Sequence, residues 1–481
     1  MPTLQPHPAS YMPSQCRPVP FLLLILLIAI LPATDLFAQR ITYEYLRMRD
    51  RQPNVFFEHL ILPDTSASSM DLVTTFRIEN NFLSFRRVRD AASGDQARRY
   101  FSDPNVQLSI QKITGSQSGV DPLQTPRVQT RTWNQTIYAE TYEQTQSSTL
   151  FVEDAIITPL EPGRYRIESS ARSDSRSRRS RATLLQIPER DNAETAFLYY
   201  LDETSQISAP FSSPLMNMGN NVFFGRDFHV VAWIPTVHDG ASYSVDVAKL
   251  RVTRQDTSRV EQVFEYHLDR DNFLTGYYPA VSMSDGKPHF HLEASDKNSV
   301  SGAFYLITIP NSRFENAHYR MNLSRVDNQN QSLTLASKTY QSLWLDMPVS
   351  LLNLDVAIDM MRFILDDSRL RALRRGDRQQ RERQFRDFWA QRDPTPEREY
   401  NELMVEYFRR IDYAFEHFTT PQNPGYESDQ GKVYIRNGEP DRRERTFPPN
   451  QPAREVWHYD GQIFLFEATS GFGDFKLVDQ Q

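Results

Sequence analysis

The architecture predicted for the C-terminal region rests on the stretch Gly425-Tyr426-Glu427-Ser428-Asp429-Gln430-Gly431-Lys432-Val433-Tyr434-Ile435-Arg436-Asn437-Gly438-Glu439-Pro440-Asp441. Its glycines mark turns, and the residues from Val433 to Arg436 predict a short strand. Upstream, apolar residues recur at helical spacing between Tyr400 and Phe418. Downstream, Asp460-Gly461 predicts a two-residue hairpin. Residues 346–481 are therefore predicted to form an α+β domain of helices followed by a small antiparallel sheet.

Helix signals lie before this stretch. Apolar spacing predicts one helix from about Leu351 and a second from Arg378 to Ala390. Thr395 is a candidate N-cap for the next helix, and Pro396 suits its first position. We expect that helix to bury an apolar stripe on the terminal sheet. The stripe consists of Tyr400, Leu403, Met404, Tyr407, Phe408, Ile411, Ala414, Phe415 and Phe418. The other strands expected in the sheet are Glu455 to Tyr459, Ile463 to Phe466 and Phe475 to Val478.

Two upstream regions are predicted to be all-β. Alternating runs such as Leu72 to Ile78 in residues 40–190, and strand-like runs such as Phe228 to Ile234 in residues 191–345, indicate partly buried strands. Aromatic residues make up 12% of the chain, which favours cross-strand aromatic pairs. Each region is predicted to be an immunoglobulin-like sandwich. The sequence leaves open whether the two regions share one core.

Residues 1–38 are typical of a signal peptide. Phe21 to Leu31 is an unbroken apolar run of signal-peptide length, and Arg17 supplies a positive charge before it. We therefore expect export to the periplasm or the extracellular space. The alternative is an uncleaved N-terminal membrane anchor. Whether translation begins at Met1 or Met12 stays open.

Composition excludes several classes of site and partner. The chain has one cysteine, Cys16, which lies before the apolar run. The cleaved chain would therefore contain no disulfide, thiol nucleophile or cysteine-ligated metal. The net charge of −7 gives no reason to expect nucleic acid as a partner. No cofactor is expected, and a cleaved chain would keep no transmembrane segment.

Further motifs flank the central stretch. They are Phe388-Trp389, Arg392-Asp393-Pro394-Thr395-Pro396 and Glu455-Val456-Trp457-His458-Tyr459-Asp460-Gly461. In this order the motifs, from about Phe385 onward, resemble the C-terminal domain of the bacterial GWxTD-domain proteins. The namesake pattern Gly-Trp-x-Thr-Asp is present as Gly425-Tyr426-Glu427-Ser428-Asp429, with Tyr for Trp and Ser for Thr. The resemblance implies an exported protein with this C-terminal architecture and implies no activity. The motif positions are Gly425, Tyr426, Ser428, Asp429, Gly431, Tyr434, Gly438, Pro440, Asp441 and Trp457.

The namesake motif has two interpretations. In the structural one, Gly425 permits a turn, the Tyr426 ring covers the end of the sheet, and Ser428 and Asp429 accept hydrogen bonds from backbone N–H groups. In the catalytic one, Asp429 is a binding or acid/base carboxylate. The other candidates for such a site are Asp393, Arg436, Asp441 and His458. Acid/base chemistry requires these groups to lie within hydrogen-bond reach of one another.

One local pattern suggests a metal site. Strand alternation would place His289, His291 and Glu293 on one face, as a set of two histidines and one carboxylate. The simpler interpretation is that Phe290 and Leu292 face the core and the three polar residues face water.

The sequence contains no phosphate-binding loop, no His-Glu-x-x-His motif and no Gly-x-Ser-x-Gly elbow. We therefore predict an exported, non-enzymatic binding or structural module of the cell envelope that engages other envelope or secreted proteins. The alternative is an enzyme of unassigned class, with hydrolysis as one option, whose site lies in the C-terminal domain. A convergent pocket around the candidate residues would distinguish the two.

Overall fold

The computed structural model describes residues 41–49, 54–63, 69–88, 99–113, 128–190, 192–202, 209–253, 256–294, 300–449, 451–470 and 474–480. The expected signal peptide, residues 1–38, lies outside this part of the chain. Antiparallel β-structure is the commonest secondary structure of the described chain, and the helices concentrate in its C-terminal part. None of the helices in the described residues has both the length and the apolar character that crossing a bilayer requires.

The described chain begins with helix α1 (Tyr43–Arg49), and the first β region follows. Its elements are β1 (Val55–Pro63), β2 (Met70–Glu79), β3 (Arg86–Arg87), β4 (Tyr100–Ser102), β5 (Asn105–Lys112), β6 (Val128–Asn134), β7 (Ile137–Ala139), α2 (Tyr142–Thr145), β8 (Phe151–Leu160), β9 (Gly163–Ser173), β10 (Arg176–Arg179) and β11 (Thr183–Ile187). In the described residues these strands form the sheets β1-β2-β8, β3-β4-β7 and β10-β9-β5-β6, and β11 also pairs with β9.

The second β region contains a second set of sheets. Its strands are β12 (Phe197–Leu201), β13 (Phe211–Pro214), β14 (Val222–Phe223), β15 (Phe228–Ile234), β16 (Ser242–Val252), β17 (Thr257–His267), β18 (Tyr277–Ser284), β19 (Lys287–Ala294), β20 (Ala303–Ile309), β21 (His318–Val326) and β22 (Ser332–Leu343). They pair as β12-β15-β20, β13-β19-β18 and β14-β22-β21-β16-β17. Strands β14 and β22 are parallel, and the other pairs in these sheets are antiparallel.

The two β regions share one core. Side chains of a strand alternate between its faces, yet Val230, Val231 and Trp233 of β15 are all fully buried. Val230 belongs to an apolar cluster made mostly of second-region residues, together with Phe56 of β1. Val231 and Trp233 belong to a cluster that also contains Leu72 and Ile110 of the first region. The question that the sequence left open is therefore answered in favour of a continuous core.

Buried charges join the two β regions. Lys338 of β22 lies with its Nζ 2.8 Å from Oε1 of Glu58 on β1, and the Glu58 side chain is 3% exposed. Next to this pair, Arg77 and Glu153 form a second buried ion pair of 3.6 Å. The Arg77 guanidinium also lies 5.7 Å from the ring centroid of Phe223, in the second region. We call this contact between the β regions the first joint.

The C-terminal region contains helices and one small sheet. Its elements are α3 (Leu354–Met360), α4 (Asp367–Leu373), α5 (Arg378–Ala390), α6 (Glu402–Phe418), α7 (Asp429–Asn437), β23 (Arg442–Thr446), β24 (Arg454–Tyr459), β25 (Gln462–Ser470) and β26 (Asp474–Gln480). The strands pair in sequence order. The strand predicted from Val433 to Arg436 is wrong, because these residues lie in α7. Ser428 caps that helix and Gly438, at φ 83°, ends it.

Helix α6 starts later than predicted. Its N-cap is Asn401, whose side-chain oxygen accepts a hydrogen bond of 2.9 Å from the Met404 N–H. The amide of the same side chain donates to the Trp389 carbonyl at 2.9 Å, which ties α6 to the end of α5. The prediction of Thr395 as the N-cap is therefore wrong. Asn401 can satisfy two backbone groups at once, one of them on another helix.

The aromatic stripe of α6 packs mainly on other helices. Tyr407, Phe408, Ile411 and Ala414 are buried in a cluster with residues of α3, α4 and α5. Phe418 contacts the sheet, with its ring centroid 5.6 Å from that of Trp457. The stripe is thus buried, but the expectation that it packs on the terminal sheet is wrong for most of its length. Two expected members differ: Leu403 is 47% exposed and Tyr400 lies before the helix.

Tyr400 belongs to the contact between the second β region and the C-terminal helices, which we call the second joint. Its ring centroid lies 6.1 Å from that of Phe224 and 5.5 Å from that of Trp344. Phe224 and Trp344 are 5.0 Å apart. A Cβ on Gly225, which has φ 77°, would lie 2.7 Å from the Tyr400 Cβ. This joint therefore consists of aromatic rings, one of which packs against the backbone of a glycine.

Candidate functional site

The namesake motif forms a turn that starts α7. Gly425–Glu427 is one 3-10 turn, and the Ser428 hydroxyl donates to the Gly425 carbonyl at 2.7 Å and accepts from the Gly431 N–H at 2.9 Å. A Cβ on Gly425 would collide with the Ala414 carbonyl oxygen, and one on Gly431 would collide with the Gly425 carbonyl oxygen. Glycine is therefore required at both positions by close backbone approach.

Tyr426 packs against helices rather than over the end of the sheet. Its ring is 5% exposed and lies near the rings of Tyr43, Phe363 and Phe415. Its hydroxyl donates to the Glu44 carboxylate of α1. Burial, and then the Glu44 carboxylate, raise the pKa of Tyr426. The suggested sheet-covering role is wrong, since the aromatic position of the motif instead contacts the N-terminal helix of the chain.

The proposed catalytic residues each bond to a neighbouring backbone group or charged side chain. Asp393 accepts from the Thr395 N–H at 2.9 Å, Asp429 accepts from the Leu477 N–H at 3.1 Å, and Arg436 donates to the Phe363 carbonyl at 3.1 Å. His458 lies beside Arg442 and Glu444 on the surface of the sheet. Backbone groups connect Asp441 and His458, since the Asp441 N–H donates to the His458 carbonyl at 2.8 Å. The five residues thus lie in a turn after α5, at the start and in the last turn of α7, just before β23 and near the end of β24.

The remaining motif positions lie between α7 and the sheet. The Tyr434 ring stacks on Tyr413 at 4.2 Å, and the Gly438 carbonyl accepts from the Tyr459 hydroxyl at 2.9 Å. Pro440 is buried. Trp457 is fully buried, and its indole N–H donates to Glu455 at 2.7 Å. These residues hold α7 on the sheet.

The histidine pair on β19 bonds to serines. His289 lies 3.1 Å from the Ser212 hydroxyl and His291 lies 2.7 Å from the Ser282 hydroxyl. Burial, and then His291, lower the pKa of His289. Glu293 is exposed. Among the residues that the structure describes, no group of three histidine, cysteine, aspartate or glutamate side chains is arranged to hold a metal ion.

A cavity of about 610 Å³ lies at the second joint, and we call it the interdomain cavity. Its walls come from the end of the second β region, from α3, α5 and the start of α6, and from the segment between α5 and α6. The apolar wall includes Phe224, Trp344, Met347, Phe385, Trp389 and Met404. Of the five catalytic candidates, Asp393 lines this cavity.

Charged side chains line another part of the interdomain cavity. Arg381 is paired with Asp355, and Arg386 lies 3.0 Å from Glu382. Glu399 lies near the carboxylates of Glu315 and Asp393, which also line the cavity. Burial, then Glu315, raise the pKa of Glu399, and Asp393 adds to this effect. The cavity therefore has an acidic corner beside an aromatic wall.

Buried donors of the interdomain cavity lack partners. Within the described residues, the indole N–H groups of Trp344 and Trp389 and the Nε of Arg381 have no hydrogen-bond acceptor. Trp344 and Trp389 are only 9% and 3% exposed. A buried donor without an acceptor costs about 1–3 kcal/mol, so three around one cavity are a departure from normal packing.

The cavity was missed by sequence reasoning. Its lining residues come from Phe224 to Met404, and no local motif joins them. The signal that pointed to part of it was Phe388-Trp389 followed by Arg392-Asp393, because this run supplies Trp389 and Asp393.

Comparisons with solved structures gave only weak likenesses. The red sea bream transglutaminase structure is 9% identical to this chain, with a TM-score of 0.17. The match covers 55% of this chain and 32% of the transglutaminase, so this chain spans about a third of that protein. The C-terminal domain of the Streptococcus agalactiae AgI/II polypeptide BspA is 10% identical to this chain, with a TM-score of 0.15. The match covers 59% of this chain and 99% of the BspA domain. Purple acid phosphatase PPD1 from yellow lupin seeds is 7% identical to this chain, with a TM-score of 0.14. The match covers 60% of this chain and 41% of the phosphatase. At these TM-scores the likenesses carry no argument.

Comparison with curated proteins found no match for this chain. The family model described as the GWxTD domain matches residues 311–473. This match begins upstream of the region where the motifs lie, and includes β21, β22 and the Trp344 and Tyr400 side of the second joint. It contains every residue that lines the interdomain cavity except Phe224. The chain is therefore a GWxTD-domain-containing protein, whose domain covers residues 311–473.

Proposed function

We propose that the protein is an exported, non-enzymatic binding module of the cell envelope, which engages another protein by taking a segment of it into the interdomain cavity. The observation that carries this proposal is the cavity at the second joint, with its aromatic wall and its acidic corner. Its volume of about 610 Å³ is in the usual range for ligand sites.

A peptide segment fits the chemistry of the cavity better than a purely apolar ligand. Polar backbone groups of a peptide would bond to charged side chains that line the cavity, such as Glu382 and Arg386. An apolar side chain would pack on the rings of Phe224 and Phe385. A basic side chain would pair with the acidic corner at Glu399. A peptide supplies all three kinds of group on one chain.

The composition of the lining supports binding rather than nucleophilic catalysis. The described residues that line the cavity include no serine, threonine, cysteine, histidine, lysine or tyrosine. Covalent catalysis needs such a nucleophile or an activated carboxylate, together with a base that orients it. Asp393 is held by the Thr395 N–H, which fits a structural role.

The immunoglobulin-like character of the two β regions is part of the proposal. Each region has a tyrosine whose hydroxyl donates to a carbonyl four residues earlier: Tyr165 to Glu161 at 3.0 Å and Tyr319 to Glu315 at 2.9 Å. Such tyrosine corners are a feature of immunoglobulin-like sandwiches. Domains of this architecture commonly present surfaces to other proteins. Export by residues 1–38, or anchoring by the same segment, would place these surfaces outside the cytoplasm.

Blocking the cavity tests the proposal. Ala390 is exposed, lies at the end of α5 and lines the cavity, so Ala390→Trp would fill the entrance without removing core contacts. Ala372 is an exposed alanine of α4 away from the cavity, and Ala372→Trp is the matched control. We expect cross-linking in envelope extract to give one specific partner with the wild type and with A372W, and to lose it with A390W. Equal capture by A390W would contradict the proposal.

A hydrolytic role is the second candidate, because Glu399 and Asp393 line one cavity and the pKa of Glu399 is raised. Carboxyls in unequal environments suit acid and base roles. Turnover of ester, amide and glycoside panels by the wild type, lost in Glu399→Gln while folding is retained, would favour this candidate over binding.

A further inference from the structure

We propose that the GWxTD domain carries a docking site for a short helix, that α1 occupies this site in the described structure, and that the same site accepts the peptide of residues 41–49 when it is supplied on a separate molecule. The site consists of Asp412, Phe415, Glu416 and Tyr426 on the C-terminal side. These residues are not among those that line the interdomain cavity, so the inference stands apart from the proposed function.

Tyr43 is the anchor of the docked helix. It is 1% exposed, and its ring centroid lies 5.1 Å from that of Phe415 and 5.4 Å from that of Tyr426. Its hydroxyl donates to Oδ1 of Asp412 at 2.8 Å. The other oxygen of Asp412 accepts from the Val349 N–H at 3.0 Å. A tyrosine therefore fits this pocket both by its ring and by its hydroxyl.

Charged contacts flank the anchor on the same helix. The Glu44 carboxylate accepts from the Tyr426 hydroxyl, and Arg47 is paired with Glu416. Leu46 packs against the same apolar cluster as Tyr43. The spacing of residues 43, 46 and 47 places them on one face of a helix. The contacts therefore define a recognition pattern: tyrosine, glutamate next to it, and arginine one turn later.

The helix depends on its docking site. Seven residues are too few for an isolated helix to be stable in water, so α1 forms because it is docked. Its opposite side is solvent-facing, with Met48 81% exposed. A segment of this kind folds on binding, which makes it exchangeable in principle with an identical segment of another molecule.

Cleavage after folding separates the helix from its site. A site for a sequence-specific protease would be placed in residues 50–53, which link α1 to the β structure. The folded chain is then cut, the short fragment is removed by gel filtration, and a fluorescent peptide of residues 41–49 is added. We expect saturable binding of this peptide, measured by anisotropy.

Variant peptides give the specificity. Tyr43→Phe removes the hydrogen bond to a buried carboxylate and should weaken binding about tenfold. Met48→Ala, on the exposed side, is the matched control and should bind as the wild type does. Absence of binding to the cut chain, or equal binding of the Tyr43→Phe and wild-type peptides, would overturn the proposal.

A charge exchange in the uncut chain covers the case in which the cut chain does not stay folded. Arg47→Glu and Glu416→Arg should each lower the melting temperature, and the double variant should restore it, because the pair is re-formed in reverse. The proposal would also be overturned if neither single variant lowered the melting temperature. The same holds if the double variant lost as much as the two single variants together.

Discussion

The two joints of the molecule bury different chemistry. At the first joint, between the β regions, ion pairs such as Lys338 with Glu58 are sealed inside a continuous core. At the second joint, between the second β region and the C-terminal helices, the rings of Phe224, Trp344 and Tyr400 meet and a cavity of about 610 Å³ remains. The first joint is closed and charged, and the second is aromatic and open.

This difference indicates which joint is built for binding. A buried ion pair has to keep its geometry, because separating the partners leaves an uncompensated charge in the core. The first joint therefore fixes the β regions relative to one another. Aromatic contacts at the second joint lose less when they shift. A ligand can enter the second joint without breaking a buried charge pair.

The largest effect is expected from breaking the first joint. Lys338→Met leaves the buried Glu58 carboxylate without its cation and should lower the free energy of unfolding by about 3 kcal/mol. Lys249→Met is the control, because Lys249 is 21% exposed and its partners Glu261 and Glu315 are half-exposed; its expected loss is below about 1 kcal/mol. Urea unfolding of both variants measures the difference. Equal losses would show that the first joint is not held by its charges.

Glu79 of β2, which interacts electrostatically with Arg77 of the first joint, should also make stability depend on pH. Burial raises the pKa of Glu79 to about 7, above its ordinary value of 4.5, although Asn81 and Arg77 oppose the shift. The folded state therefore favours the neutral carboxyl, and this contribution is present below pH 4.5 and is lost as the pH rises through 7.

Glu79→Gln removes that titration and keeps an oxygen that can accept from Asn81. The stability of the variant relative to the wild type should rise by about 2 kcal/mol between pH 5 and pH 8. His59 acts in the opposite direction, since burial lowers its pKa to about 4, but its contribution is the same in both chains and cancels. A difference between the two chains that does not change with pH would contradict the expectation.

At the second joint, the contact of Gly225 with Tyr400 can be measured against a matched glycine. Gly225 and Gly461 both have φ 77°, but a Cβ on Gly225 would press on Tyr400, whereas a Cβ on Gly461 would meet no atom within 4 Å. Gly461→Ala should cost about 1 kcal/mol for the backbone alone, and Gly225→Ala about 1 kcal/mol more. Thermal and urea unfolding of both variants test this. Equal losses would mean that the joint yields freely to an added methyl group.

The sequence predicted the elements whose signals are local. The order of helices and sheet in the C-terminal domain is confirmed, as is the turn at Asp460-Gly461, where Gly461 has φ 77°. The strand expected from Phe228 to Ile234 has the same bounds in the structure. These patterns depend on a residue and its near neighbours.

The prediction failed where distant contacts decide the structure. The strand prediction for Val433 to Arg436 is an exception, because it fails on local signals: Ser428 and Gly438 cap and stop a nine-residue helix. Thr395 and Asn401 are both suitable N-caps, and the Trp389 carbonyl selects Asn401. The docking of α1 and the interdomain cavity could not be predicted, because their residues are far apart in the chain.

The smallest loss of stability is expected from an indole at the second joint. Trp344 and Trp457 are both buried, but the Trp457 N–H donates to Glu455 at 2.7 Å and the Trp344 N–H has no acceptor in the described residues. Each substitution by Phe removes a similar ring volume. Trp457→Phe should therefore cost about 2 kcal/mol, and Trp344→Phe about 1 kcal/mol or less. Partner capture should respond in the reverse order, since Trp344 lines the cavity and Trp457 does not. Trp344→Phe could instead cost as much stability as Trp457→Phe and leave partner capture unchanged. In that case the indole of Trp344 stabilises the fold and does not bind a partner, and the second joint is as closed as the first.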